Sequence, residues 1–252
     1  MPNKPIAAAA AAVALLSAAV APARAEPVKN VVLVHGAFAD GSGWRRVADI
    51  LGKDGYTVSV VQEPLTSLAD DVAATKRVLD LQQGPTLLVG HSYGGVVITE
   101  AGNAPNVVGL VYIAAFIPDN GESALGLLST APAANNDIRA TKDDFLYLDP
   151  AAFPADFAAD VAKPEANFMA HSQMMLAKAA GGAPVTVAAW HQKKSWALVA
   201  TRDNNLNPDL ERKMAKHAGS ETIEVPGSHA VYISKPDDVA RLIERAAKAS
   251  AQ

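Results

Sequence analysis

Gly90-His91-Ser92-Tyr93-Gly94-Gly95 is the segment of this chain with the clearest chemical content. It follows an apolar run, Thr86 to Val89, and opens a helical stretch, so a serine stands in a sharp strand-to-helix turn flanked by residues small enough for close backbone approach. Such a turn exposes the serine hydroxyl. The free N–H groups of the following helix point at the same spot, which makes the Tyr93 N–H a donor for an oxyanion. A serine hydroxyl needs a base to act as a nucleophile, and the base needs an acid to orient it. Asp203 lies just beyond the apolar run Trp196 to Thr201, and His229 lies just beyond Thr222 to Val225, in Pro226-Gly227-Ser228-His229. If these runs are parallel strands, their loops open on one sheet edge and the three residues converge. Asp119 is the rival orienter, although its Pro-Asp-Asn-Gly setting reads better as a turn. Among the other histidines, His35 and His91 lie inside motifs, and His171, His191 and His217 lie where no strand end presents them. A second oxyanion donor is expected from His35-Gly36-Ala37-Phe38, after the first apolar run: the Ala37 N–H, or alternatively that of Phe38.

These residues need a frame. From Val31 onward, β-branched runs alternate with helical stretches, the pattern of a parallel sheet covered by helices. Six runs read as strands: Val31 to Val34, Thr57 to Val61, Thr86 to Val89, Val107 to Ile113, Trp196 to Thr201 and Thr222 to Val225. Helices are expected near Trp44 to Leu51, Leu68 to Leu81, Tyr93 to Ala101, Asp209 to His217 and Asp237 to Ala249. Ser67 is placed to cap the second, and Ser234 to cap the last with Pro236 in its first turn. The stretch from about 118 to 194 breaks the rhythm. It is rich in Ala, Pro, Phe and Met, with helical periods over Leu125 to Leu128, Ala155 to Val161 and Glu165 to Leu176 and no clear strand. The prediction is an α/β fold, a mostly parallel six-stranded sheet with helices on both faces and a helical cap inserted after the fourth strand.

Composition narrows the chemistry further. Of 252 residues 50% are hydrophobic and 19% charged, the balance of a packed globule. With no cysteine, thiol nucleophiles, thiolate zinc sites and disulfides are excluded. A formal charge of -4 without a basic run offers no footprint for nucleic acid, so the expected partner is a small molecule. Residues 1–25 read as a secretory signal peptide: Lys4, an uncharged Ala-rich run from Ile6 to Ala21, then Ala23-Arg24-Ala25. Cleavage is expected after Ala25, with Ala23 as the alternative. The run is too short and too alanine-rich to span a bilayer, so stable membrane insertion is not expected. Residues 26–252 are then a single periplasmic or secreted domain.

Taken together, Val34-His35-Gly36-Ala37-Phe38, Val89 to Gly95, Thr201-Arg202-Asp203 and Ser228-His229 resemble the α/β-hydrolase superfamily, specifically the compact serine esterase branch that includes plant methyl esterases and hydroxynitrile lyases. The resemblance covers about residues 29 to 248. It implies a sheet lacking the first two strands of larger members, and hydrolysis of carboxylic esters without cofactor or metal. In that reading Ser92 attacks the carbonyl, His229 takes its proton, Asp203 holds the imidazole, and the N–H groups of Ala37 and Tyr93 stabilise the oxyanion. Relatives acting as hydroxynitrile lyases typically carry a lysine after the catalytic histidine and a threonine in the oxyanion loop, where this chain has Ala230 and Ala37. The Ser92 position excludes aspartate-nucleophile dehalogenases and epoxide hydrolases. Other chemistry on the same residues (perhydrolysis, carbon–carbon cleavage, lyase activity) and ligand binding without catalysis remain as alternatives. The pocket is expected between the sheet edge and the cap, with Phe38, His91, Phe116, Met174 and Trp190 contacting an apolar substrate and Phe145, Phe153, Phe168, Met169 and Met175 as further candidates. Activity should rise with pH as His229 loses its proton.

Overall fold

Runs that are apolar at every position become interior strands, and runs with exposed positions become edges. The computed structural model describes residues 27–251 together with Met1 and Pro2; the remainder of the expected signal peptide lies outside the described residues. The chain runs through β1 (Asn30–Val34), α1 (Arg45–Lys53), β2 (Thr57–Val61), α2 (Leu68–Leu79), β3 (Thr86–His91), α3 (Gly94–Ala101) and β4 (Val107–Ile113). An excursion follows with α4 (Ala124–Leu128), β5 (Ile138–Ala140), β6 (Phe145–Leu148), α5 (Phe153–Asp156), α6 (Lys163–Ser172), β7 (Leu176–Ala177) and α7 (Lys178–Gly182). The rhythm resumes with β8 (Lys194–Ala200), α8 (Pro208–His217), β9 (Glu221–Val225), α9 (Val231–Ser234) and α10 (Pro236–Ser250).

The main sheet has six strands in the order β2-β1-β3-β4-β8-β9, every neighbouring pair parallel. These are the six expected runs. β1 and β3 are buried throughout, whereas the edge strand β9 exposes Glu221, Thr222 and Glu224 and buries Val225. The chain moves outward from β1 to β2 and then back past β1 to β3, so right-handed crossovers put α1 and α2 on opposite faces. α1 packs against α10, and α2 against α3. As expected, the Ser67 hydroxyl accepts the Asp70 N–H at 3.0 Å at the start of α2. Ser234 does not cap α10: it ends the short helix α9, and Lys235 precedes Pro236 without a capping side chain.

Between β4 and β8 the helical periods are only part of the organisation. The excursion also carries a three-stranded antiparallel sheet, β5-β6-β7. The helix expected to reach Leu176 stops at Ser172, because the Gln173 carboxamide accepts from Leu148 N–H at 2.9 Å and donates to Leu148 O at 2.8 Å. That clamp turns the chain extended so that Leu176 pairs with Leu146. Among the described residues, no helix is long and apolar enough to cross a membrane.

Candidate active site

Ser92 follows β3, Asp203 follows β8 and His229 follows β9, so parallel pairing delivers all three to one edge of the sheet. Ser92 adopts φ +52°, in the left-handed region, at a cost of about 1–3 kcal/mol that the neighbouring backbone must offset. It is pinned there by three bonds. Its N–H donates to Ile113 O at 3.3 Å, and its carbonyl accepts from Gly95 N–H at 2.9 Å and Phe116 N–H at 3.2 Å. A Cβ on Gly94 would stand 2.5 Å from the His35 carbonyl oxygen, and one on Gly36 would stand 2.6 Å from Ser92 Cβ. The turn and the 35–38 loop therefore meet backbone to backbone, where no side chain fits.

The three side chains form one hydrogen-bonded series. Ser92 Oγ lies 2.8 Å from His229 Nε2, and His229 Nδ1 lies 2.5 Å from Asp203 Oδ2. Asp203 Oδ1 accepts from Asn205 N–H at 2.7 Å and Leu206 N–H at 2.8 Å, which fixes the carboxylate in its loop. With Nδ1 donating to Asp203, Nε2 is the free base facing the serine hydroxyl. Asp203 is 4% exposed and His229 0%, so water competes weakly for either bond. Beside Ser92, the N–H groups of Ala37 and Tyr93 donate to no protein acceptor among the described residues, and both are available to an oxyanion. Phe38, the alternative donor, is committed: its N–H donates to Met174 O in the excursion at 2.9 Å.

Residues from elsewhere hold the series in place. His91 Nε2 donates to the His229 carbonyl at 2.9 Å, and its ring packs against Tyr232 and His229 with centroids 4.4 and 4.7 Å away. Burial, then the proximity of His229, push its pKa well below the ordinary histidine value, so the ring is neutral. His91 therefore supports the His229 backbone from a fully buried position and does not line the cavity beside Phe38. Asp160 of the excursion accepts the Ser228 hydroxyl at 2.5 Å and the Ser228 N–H at 3.2 Å, and Phe157 O accepts Ala230 N–H at 2.8 Å. The Phe157 ring meets His229 edge-on at 4.8 Å. On the other side, the Tyr93 hydroxyl donates to Asp71 at 2.9 Å; burial raises the Asp71 carboxyl to about 6, opposed by the Leu65 N–H and Tyr93 bonds.

Residues 31–242 match the family described as the alpha/beta hydrolase family. The chain belongs to that family. A carbendazim hydrolyzing esterase from Nocardioides sp. (strain SG-4G) is 35% identical over 116 residues, 40% of this chain and 48% of that protein, so the aligned stretch spans about half of that relative's length. An alpha/beta hydrolase of Aspergillus novofumigatus (strain IBT 16806) is 26% identical over 246 residues, 86% of this chain and 96% of the other. Among solved structures, a pyrethroid hydrolase from Sphingobium faniae JZ-2 shares the fold with a TM-score of 0.75 at 21% identity, over 88% of this chain and 98% of that one.

A cavity of about 270 Å³ opens between the 38–45 loop and α6, with Phe38, Phe168, Met169, Gln173 and Tyr232 among its walls and Arg45 and Glu165 adding charge; Ser92, His229 and Asp203 do not line it. Phe38 forms part of that wall. Phe116 is buried behind Ser92, to which it contributes its N–H. Met174 offers its carbonyl to Phe38, while its side chain is partly exposed. Phe153 is wholly buried and stacks on Phe157 at 4.8 Å. Trp190 lies elsewhere: it precedes β8, at the end of the sheet away from Ser92, donates to Pro118 O at 2.8 Å and stacks on His191 at 3.8 Å. Asp119, the rival acid, bonds His191 and His217 at 2.7 and 3.0 Å and takes no part in the series. Among the described residues, no group of three or more metal-ligating side chains is placed to hold a metal ion. Asp160, Phe157 and Asp71 escaped the sequence reading, because an isolated Asp or Phe in an irregular stretch carries no local signal of its distant partner.

Proposed function

We propose that this hydrolase is an exported serine esterase that cleaves carboxylic esters of small apolar substrates through an acyl-enzyme. The observation that carries the reading is the continuous Ser92–His229–Asp203 series, built at a positive-φ turn next to two uncommitted N–H groups. Ser92 Oγ attacks the ester carbonyl carbon as its proton passes to His229 Nε2, and the new imidazolium is stabilised by Asp203. The carbonyl oxygen gains the charge and accepts from Ala37 and Tyr93 N–H. Collapse expels the alcohol, which takes the proton from His229. Water then attacks the acyl-enzyme with His229 again as base, releasing the acid and restoring Ser92.

Relatives named as esterases support the bond type. Phe38, Phe168 and Met169 in the cavity wall support a small apolar group on the ester, and the composition of residues 1–25 supports export. The test is exposure of the purified protein to a fluorophosphonate, with the adduct located by peptide mass analysis and turnover read on a panel of p-nitrophenyl esters. The expected adduct is on Ser92, lost in His229→Ala, with short apolar esters turned over fastest. Absence of labelling in folded protein would overturn the proposal in favour of a ligand-binding role.

A further inference from the structure

Glu211 stands on α8, one helical element after Asp203, and is 2% exposed. Its Oε2 accepts the Ala200 N–H at the end of β8 at 3.3 Å, while its Oε1 is buried and meets no donor. An ionised carboxylate in that position would be desolvated with half its acceptor capacity unused, an unfavourable state that a proton on the orphaned oxygen removes. That proton has a recipient at hand. Burial, followed by the charge of nearby Asp203, holds the Glu211 carboxyl well above the usual carboxylate range. Two adjacent carboxyl groups cannot both ionise easily, so one keeps a proton and shares it with the other.

The division between the two acids follows from their donors. Asp203 accepts from two backbone N–H groups and from the His229 Nδ1–H. Glu211 receives one long backbone bond. Among the described residues, Asp203 and Arg212 are the charged groups whose fields reach Glu211. The Arg212 guanidinium is spent on Glu224, at 2.9 and 2.8 Å, and on Asp209 at 2.7 Å. Glu211 is therefore the neutral member of the pair.

We infer that Glu211 is a positioning residue for the reaction. As a neutral acid it donates to Asp203, ties the 201–207 loop to the end of β8 through Ala200, and keeps the carboxylate aimed at His229 Nδ1. This rests on the serine-esterase reading above, so the test includes a readout that does not depend on turnover: the downfield proton resonance of the His229 Nδ1–H, followed with pH.

Two variants separate hydrogen-bond donation from volume. In Glu211→Gln the carboxamide can donate to Asp203 and accept from Ala200 N–H, so kcat and KM should stay within about threefold of wild type and the resonance should keep its position. In Glu211→Leu the donor is gone, and kcat should fall by about tenfold to a hundredfold at unchanged KM, with the resonance displaced. A Glu211→Leu variant with wild-type kcat and resonance would overturn the inference. So would a folded Glu211→Gln variant as impaired as an apolar replacement, because the donor would then not be what matters. If Glu211→Leu fails to fold, Glu211→Gln decides alone, by melting temperature, kcat and resonance together. Failure of Ser92 to label would defeat the esterase reading, while the resonance would still report the Glu211–Asp203 bond.

Discussion

Replacing Gly36 with alanine tests whether the oxyanion loop is held against the nucleophile by contact alone. The added Cβ would sit 2.6 Å from Ser92 Cβ and 2.9 Å from the His91 carbonyl oxygen, whereas ordinary contact begins at 3.4 Å. The loop must therefore retreat by about 0.8 Å, and neither obstacle is the flexible end of a side chain. The Ala37 N–H lies one residue further on and must follow. A misplacement of about 1 Å costs on the order of 100-fold in rate, and one oxyanion donor contributes about 3–4 kcal/mol to the barrier. The expected result is a loss of about 30- to 100-fold in kcat with KM changed little, because the wall formed by Phe38 and α6 needs only to shift, not to disappear. Overpacking should lower stability by about 1–3 kcal/mol. The assay is steady-state hydrolysis of a p-nitrophenyl ester alongside thermal melting. Gly52→Ala is the control: its Cβ meets nothing within 4 Å in helix α1, so activity should be unchanged and stability slightly higher. A Gly36→Ala protein with wild-type kcat at wild-type stability would refute the close-packing argument.

Three further expectations follow from the same geometry. Asp203→Asn should leave the protein folded and reduce kcat by about 10⁴-fold, because a carboxamide facing Nδ1 favours the wrong tautomer of His229; burst kinetics with a chromogenic ester would measure it. Asp160→Ala should free the Ser228 hydroxyl and N–H and loosen the His229 loop, lowering kcat by about tenfold while labelling of Ser92 merely slows. Asp71→Asn should raise stability in a pH-dependent way. Burial lifts the Asp71 carboxyl from 3.8 to about 6 in the folded protein, so stability is fullest below the unfolded value and is lost as pH rises through the folded one. The asparagine variant should match wild type near pH 4 and exceed it by up to about 3 kcal/mol at pH 8, read by urea unfolding at both values.

The frame was legible because its signals are local. Each interior strand is a short apolar run whose pattern needs no knowledge of its neighbours, and Ser67 and Pro236 mark helix starts through their own backbone chemistry. The excursion between β4 and β8 was legible as an interruption, but β6 and β7 were not, because their pairing depends on a Gln173 clamp to a residue 25 positions away. His91, Met174 and Trp190 were singled out by type, and type does not say where a side chain points. The buried His91 holds a backbone carbonyl, Met174 contributes its own carbonyl, and Trp190 packs at the other end of the sheet.

By itself the sequence determined the strand runs, the glycine-flanked turn that carries Ser92, and the succession of Asp203 and His229 at later strand ends, since backbone sterics and hydrophobic period act over a few residues. Only the tertiary structure decided which groups meet. The 2.8 and 2.5 Å contacts of His229, the commitment of Phe38 N–H to Met174 and the Asp160 clamp on Ser228 all join residues far apart in the chain. Such contacts form only when parallel pairing and close packing bring separate elements together, and no short stretch of sequence contains both partners.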